Sequence, residues 1–265
     1  MSWGARAFLG VVALIVAAPV VVLAGISVNR EKALYFPPRG FSLDWFGQLF
    51  TEPAWRDALM TSLTVAAGAA AVAVALALPL AYACWRWSLR GGGLLYLLGL
   101  APFILPPVVS AVGFLSFWAR LGVWGELWTA VLSHGVFLVT LPLVTVTLGL
   151  RSIDRHVVEA AETMGANEVT LARTIVLPLV VPYMISGAAF AFVLSLNEYI
   201  IAFMTIGFTH ETLPVKIFNS LRYGYTPTMG AAAVVFIGLA VVVFGLIGRF
   251  GDLPKLMGAV TRRTD

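Results

Sequence analysis

Glu159-Ala160-Ala161-Glu162-Thr163-Met164-Gly165, followed after nine residues by Ile175-Val176-Leu177-Pro178, is a short charged stretch between two apolar ones. No Asp, Glu, Lys or Arg occurs in 127–150 before it or in 174–197 after it. A charged helical segment held between two such windows is presented to water, or to something in water. On a helix, Arg151, Arg155, Glu159 and Glu162 share one face, and Ile153, Val157, Ala161 and Met164 share the other. Gly165 stands where a helix end favours a left-handed residue. Asn167 offers a side-chain oxygen to start the next helix. The stretch therefore reads as a helix–turn–helix elbow over about 151–175, with the next apolar helix beginning near Ile175.

The rest of the chain is of the same apolar kind. Windows 7–29, 58–85, 91–119 and 223–248 are also free of charged residues. Each is long enough for a helix of about 20 residues to cross the hydrocarbon of a bilayer. Six windows predict six transmembrane helices, at about 7–28, 58–84, 94–118, 127–150, 176–203 and 229–249, in one domain over 1–265. With 60% hydrophobic and 11% charged residues, an ordinary soluble domain is excluded. A β-barrel would show alternation over about 10 residues in place of solid apolar runs. Phe8–Val28 exceeds the apolar core of about 7–15 residues usual in a cleaved signal peptide, so the first span reads as a retained anchor. The single Cys84 can form no intrachain disulfide.

Basic residues set the orientation. With the N-terminus inside, Arg6, Arg86, Arg90, Arg151, Arg155, Arg173, Arg249, Lys255, Arg262 and Arg263 are cytoplasmic. Arg30, Lys32, Arg39, Arg56, Arg120, Lys216 and Arg222 then fall outside. The short-loop bias favours both termini inside, which places the Glu159 elbow in the cytoplasm. The net charge of +4 belongs to this topology, and no nucleic-acid partner is implied.

Several features bear on a path through the membrane. The second span carries Ala66, Ala67, Gly68, Ala69, Ala70 and Ala71, small residues that let helices approach closely. Pro102, Pro106 and Pro107 must kink or break the third span, and carbonyls freed at that depth need protein or a watery cavity around them. His134, near the start of the fourth span, reads first as an interhelical hydrogen-bond partner. Trp45, in the outer loop, reads first as an interfacial aromatic. Glu198 is an acid in an apolar region and so a functional candidate by default. Its two readings are an outer gate or cation contact, or a structural partner to a neighbouring subunit. Gly91-Gly92-Gly93 suits a tight inner turn. Thr212-Leu213-Pro214 can start a short outer helix.

The spacing Glu-Ala-Ala, three residues, Gly, nine residues, Ile-x-Leu-Pro resembles the signature loop of permease subunits in binding-protein-dependent ABC importers. Further stretches are similar to the second permease of the spermidine/putrescine family: Ser133-His134, Ser195-Leu196-Asn197-Glu198, Thr212 to Phe218, Leu221-Arg222 and Pro227. The resemblance covers roughly residues 40–250. It implies an all-α, type I ABC importer permease fold with a cytoplasmic coupling helix, in a bacterial inner membrane. It implies a second permease subunit as heterodimer partner, two ATPase subunits that bind ATP and magnesium, and an extracytoplasmic solute-binding protein. The contact with the ATPase would be made by Arg155, Val158, Glu159, Ala160, Ala161, Glu162, Met164, Gly165, Ala166 and Asn167. Trp45, Pro107, Asn197 and Glu198 would lie on the substrate path.

The chain departs from that branch where it has Pro107 in place of an acid, Asn197 and Glu198 in place of paired aspartates, and Thr228 in place of a glutamate. Carboxylates are the natural partners of a polycation. A polyamine cargo is therefore favoured by resemblance, while an amino acid, an opine or another small solute stays open.

No bond chemistry is expected. None of the three lysines, Lys32, Lys216 and Lys255, follows a glycine, so the Gly-Lys-Ser/Thr phosphate loop is absent and ATP must be used by another polypeptide. His134, His156 and His210 are scattered, which suggests neither a metal site nor an enzyme. An ion-driven secondary transporter would show paired sites in repeated halves of one chain.

Overall fold

The computed structural model describes residues 2–87, 91–224 and 226–250. Arg90, Lys255, Arg262 and Arg263 of the orientation argument lie outside the described residues. Among those described, every regular element is a helix, and the one β feature is an isolated bridge between Asn29 and Phe41.

Four helices are long and apolar enough to cross a membrane: α1 (Trp3–Ser27), α3 (Pro53–Trp87), the continuous run Glu168–Asn197, and α13 (Thr228–Phe250). Two bent pairs raise the number to six. One pair is α4 (Gly92–Ile104) with α5 (Pro107–Arg120), bent by 102° at Leu105-Pro106. Pro106 and Pro107 offer no backbone N–H, so the α4 ladder ends there and α5 restarts with Pro107 in its first turn. The other pair is α6 (Leu127–Phe137) with α7 (Thr140–Arg151), bent by 46°.

The fifth apolar stretch differs from the sequence expectation at both ends. Helix begins at Glu168, eight residues before the expected 176, as α9 (Glu168–Leu171). It continues through a π-helical turn, Ala172–Val176, into α10 (Leu177–Asn197). Asn167 caps the start by accepting from the Thr170 N–H at 2.9 Å. At the other end, Glu198 turns extended (ψ 123°), and α11 (Ile200–Ile206) starts as a separate helix.

The chain divides into two compact units. One holds the N-terminal residues through Thr61 together with Glu211–Val241; the other holds Ser62–His210 and the chain from Val242. In the first, α2 (Asp44–Thr51) and α12 (Leu213–Tyr223) accompany α1 and the start of α13. Its loop is organised by Asn29, whose amide donates to the Ala33 carbonyl at 2.9 Å and accepts from the Arg39 N–H at 2.8 Å. The Thr228 hydroxyl meets Gln48 Oε1 at 3.1 Å.

The second unit contains the elbow. Its packing rests on small residues, as helices that share lipid on their outer faces require. Ala66, Ala69, Ala73, Ala77 and Ala81 form a buried stripe along α3 at spacings of three and four. Between α7 and α10, Gly187 lies so close to Pro142 that a Cβ there would come within 2.5 Å of the Pro142 Cα. Gly149 is packed in the same way against the Tyr183 ring. The Thr140 hydroxyl donates to the Gly99 carbonyl at 3.0 Å and ties α7 to α4.

Candidate functional site

The elbow is built from local signals that all agree. Asp154 accepts from the His156 N–H at 2.9 Å and starts α8 (Arg155–Thr163). Its far end is a Schellman turn: the Gly165 N–H donates to Glu162 O at 2.9 Å and the Ala166 N–H to Ala161 O at 3.0 Å. Gly165 holds φ +87°, which only glycine adopts without steric cost, and a Cβ there would meet nothing within 4 Å. Asn167 then opens α9.

The inner face of α8 differs from the one read off the sequence. The helix begins after Asp154, so Arg151 ends α7 and contributes nothing to α8. Val158 and Ala161 are buried, with Ile153, in a cluster that includes Ala77, Ala81, Leu143, Val146, Leu150, Leu171 and Val176. Val157 and Met164, read on the same apolar face as Ile153 and Ala161, are 46% and 84% exposed. Ile153 and Ala161 of that apolar face are buried as a pair, and Val158 takes the inner place beside them instead of Val157. Val158 and Ala161 thus seat the elbow. Arg155, Glu159, Ala160, Glu162, Met164, Gly165 and Asn167 lie on its exposed side, and Ala166 is half-buried.

A residue that sequence reasoning counted only as a cytoplasmic charge joins this site. Arg86, at the end of α3, pairs with Glu162 of α8 and with Glu168 of α9. Its Nη2 donates to Glu168 Oε1 at 2.6 Å, and its Nε donates to the two Glu168 oxygens at 3.1 and 3.2 Å. The Tyr82 hydroxyl adds a donation to Glu168 Oε2 at 3.3 Å. A cleft of about 220 Å³ beside the elbow is lined by Trp85, Arg86, Arg155, Val158, Glu159 and Glu162. The signal for the clamp was an arginine at the end of one span and two acids flanking a glycine. Only folding shows that they meet.

Trp45 is buried in the first unit, with its indole N–H donating to the Asn29 carbonyl at 2.6 Å. In the second unit, Pro107 is an exposed residue in the first turn of α5. Asn197 is exposed, and its amide bonds back to the Val193 carbonyl at 2.8 Å.

Glu198 has the richest surroundings. Its Oε1 accepts from the Ile200 N–H at 2.8 Å and the Ile201 N–H at 2.9 Å. Its Oε2 accepts from Ile201 at 2.9 Å and Ala202 at 3.0 Å. The carboxylate thus caps the start of α11, where an anion is favoured by the free N–H groups. Oε2 also lies 3.3 Å from Nε2 of the buried His134, an approach that lacks hydrogen-bond alignment. His134 Nδ1 meets the Ser195 hydroxyl at 2.7 Å. His134 is therefore the interhelical partner expected of it, and Glu198 has its polar contacts inside its own chain.

Comparison with known proteins places this architecture. The family model described as "Binding-protein-dependent transport system inner membrane component" matches residues 1–252. The chain is 32% identical to the spermidine/putrescine transport system permease protein PotC of Haemophilus influenzae, over 90% of this chain and 92% of that one. It is 33% identical to the putrescine transport system permease protein PotI of Escherichia coli K12, over 87% of this chain and 84% of that one. A crystal structure of a bacterial ABC transporter that imports the acidic polysaccharide alginate contains a chain of the same fold. The TM-score is 0.71 at 16% identity, covering 95% of this chain and 99% of that one. The chain belongs to the family of binding-protein-dependent transport system inner membrane components, the permease subunits of ABC importers.

Proposed function

We propose that this chain is one half of the membrane pathway of an ATP-driven importer that carries a small organic cation of the polyamine type into the cytoplasm by alternating access. It pairs with a second permease, lies with both termini in the cytoplasm, and receives its cargo from an extracytoplasmic binding protein. The magnesium–ATP that drives it is bound and hydrolysed by two separate ATPase subunits.

The observation that carries this reading is the elbow. A two-helix corner has one face seated in the bundle through Val158 and Ala161 and the other exposed through Glu159, Ala160 and Met164. It is joined covalently to α10, so a displacement imposed on its exposed face reaches a membrane helix directly. The polyamine assignment rests on the PotC and PotI relatives. The test is uptake of putrescine and ATP hydrolysis in the reconstituted complex, with Gly165→Asp in this chain. Hydrolysis with little uptake supports the reading; unchanged uptake opposes it.

One observation favours a different cargo for the same machine. The four hydrogen bonds to Glu198 and its contact with His134 leave that carboxylate little freedom to bind a cation. A thermal-shift screen of the cognate binding protein against polyamines, amino acids and opines separates the two, since no shift with any polyamine excludes a polyamine cargo.

A further inference from the structure

We propose that Arg86 is a positioning residue that makes the elbow and the end of α3 one mechanical piece, so that force entering at the elbow reaches α3 as well as α10. This rests on the reading of the elbow as the ATPase contact.

The elbow turns at Gly165, whose backbone between α8 and α9 is left-handed. A hinge at a glycine is a weak transmitter unless its two arms are held. Glu162 lies three residues before the glycine and Glu168 three residues after it. One guanidinium takes both, with Nη2 shared between Glu162 and Glu168 Oε1 and Nε turned to the second arm. Arginine suits the task because its planar fork donates in several fixed directions, whereas a lysine ammonium is a single point charge. The Arg86 side chain is 23% exposed while Glu162 and Glu168 are 39% and 48% exposed, so the cation reaches outward from a partly covered base to carboxylates nearer water. The Tyr82 hydroxyl holds Glu168 one turn earlier on the same helix. Tyr82 and Arg86 both belong to α3, and Ala77 and Ala81 of α3 pack in the same buried cluster as Val158 and Ala161 of α8. The elbow is therefore gripped by α3 twice, by apolar packing beneath and by ions at the rim.

With the complete transporter reconstituted in nanodiscs, hydrogen exchange at 155–171 and the ratio of putrescine taken up to ATP hydrolysed are measured for wild type, Arg86→Gln, Arg86→Lys and Glu162→Gln/Glu168→Gln. Arg86→Gln is expected to speed exchange on both sides of Gly165 by about fivefold and to lower the uptake-to-hydrolysis ratio with the ATPase subunits still bound. Arg86→Lys should restore part of that ratio. The double glutamine variant should match Arg86→Gln, and adding Arg86→Gln to it should cost nothing more. If Arg86→Gln does not assemble, the double glutamine variant carries the same test, because it removes the clamp and leaves the arginine. Unchanged exchange, or losses that add when both sides are altered, overturn the proposal. Faster exchange in Arg86→Gln with no ATP-driven putrescine uptake even in wild type leaves the clamp standing and rejects the polyamine cargo instead.

Discussion

His134 Nε2 lies 3.3 Å from Glu198 Oε2, while the opposite ring nitrogen meets Ser195 at 2.7 Å, so one buried imidazole joins α6 to the end of α10 and the start of α11. A buried polar group that loses its partner costs far more than the pair is worth when made. His134→Ala removes the ring and leaves both the Ser195 hydroxyl and the Glu198 carboxylate without it. A loss of about 2–4 kcal/mol is expected, read as a lowered melting temperature of the purified transporter in detergent.

The same geometry separates two roles for Glu198. As a cap, it needs both carboxylate oxygens, each of which accepts two backbone N–H groups. Glu198→Gln keeps one acceptor and turns an amide donor toward the other N–H groups, which costs about 1–2 kcal/mol. Thermal stability and uptake should then fall together. A variant with wild-type melting and a raised KM for substrate would show instead that the carboxylate meets the cargo.

At Gly165 the expected effect is conformational and not steric, because φ is +87° and no atom crowds a Cβ there. Gly165→Ala should cost about 1 kcal/mol, and Gly165→Asn less, since asparagine tolerates the left-handed region. Uptake per ATP in the reconstituted complex should rank wild type, then Asn, then Ala. Equal ratios for all three would mean that the elbow does not need this turn.

How far the chain could be read in advance follows from how local each determinant is. The Gly165 turn and the Asn167 cap depend on residues within four positions, and the structure has them where the sequence put them. Of the apolar face read for the elbow, Ile153 and Ala161 are buried while Val157 and Met164 are exposed, because the side that α8 turns inward is set by distant residues such as Ala77, Ala81 and Leu150 on which it packs. The Arg86 clamp spans 76 and 82 residues and the His134 pair with Ser195 spans 61, separations at which no periodicity or spacing carries information. Glu198 was legible as an unusual acid. Its partners were not, since a carboxylate that caps a helix and one that binds a cation look the same in sequence.

Close helix approach gives a prediction with its own control. A Cβ on Gly187 would stand 2.5 Å from the Pro142 Cα and 2.5 Å from the Thr145 hydroxyl oxygen. Backbone cannot yield as a flexible side chain can, so Gly187→Ala must push α10 away from α7 at a cost of about 1–3 kcal/mol. Gly113, on the exposed side of α5, has nothing within 4 Å of its Cβ position, and Gly113→Ala should be neutral or gain up to about 1 kcal/mol from helix propensity. The two variants have the same chemistry and differ only in the space around them. Melting temperatures measured side by side should therefore diverge, and equal values would mean that α7 and α10 are not packed at glycine distance.

Met164 offers the most direct probe of the exposed elbow face. It is 84% exposed, caps α8 without touching the buried cluster, and stands beside the Gly165 turn. An apolar side chain left in water at that place gains by burial against a partner, worth about 1.5–3 kcal/mol if covering is complete. Met164→Asp should leave the melting temperature of the purified chain unchanged, because nothing in the fold rests on the side chain. It should lower recovery of the ATPase subunits in a pull-down on this chain by about tenfold, the equivalent of about 1.4 kcal/mol. Val158→Asp, one face away and 7% exposed, should do the reverse and unfold the elbow itself, seen as faster hydrogen exchange at 155–171. If Met164→Asp retains the ATPase subunits in full, the docking face lies elsewhere on α8, with Glu159 and Ala160 the next residues to alter.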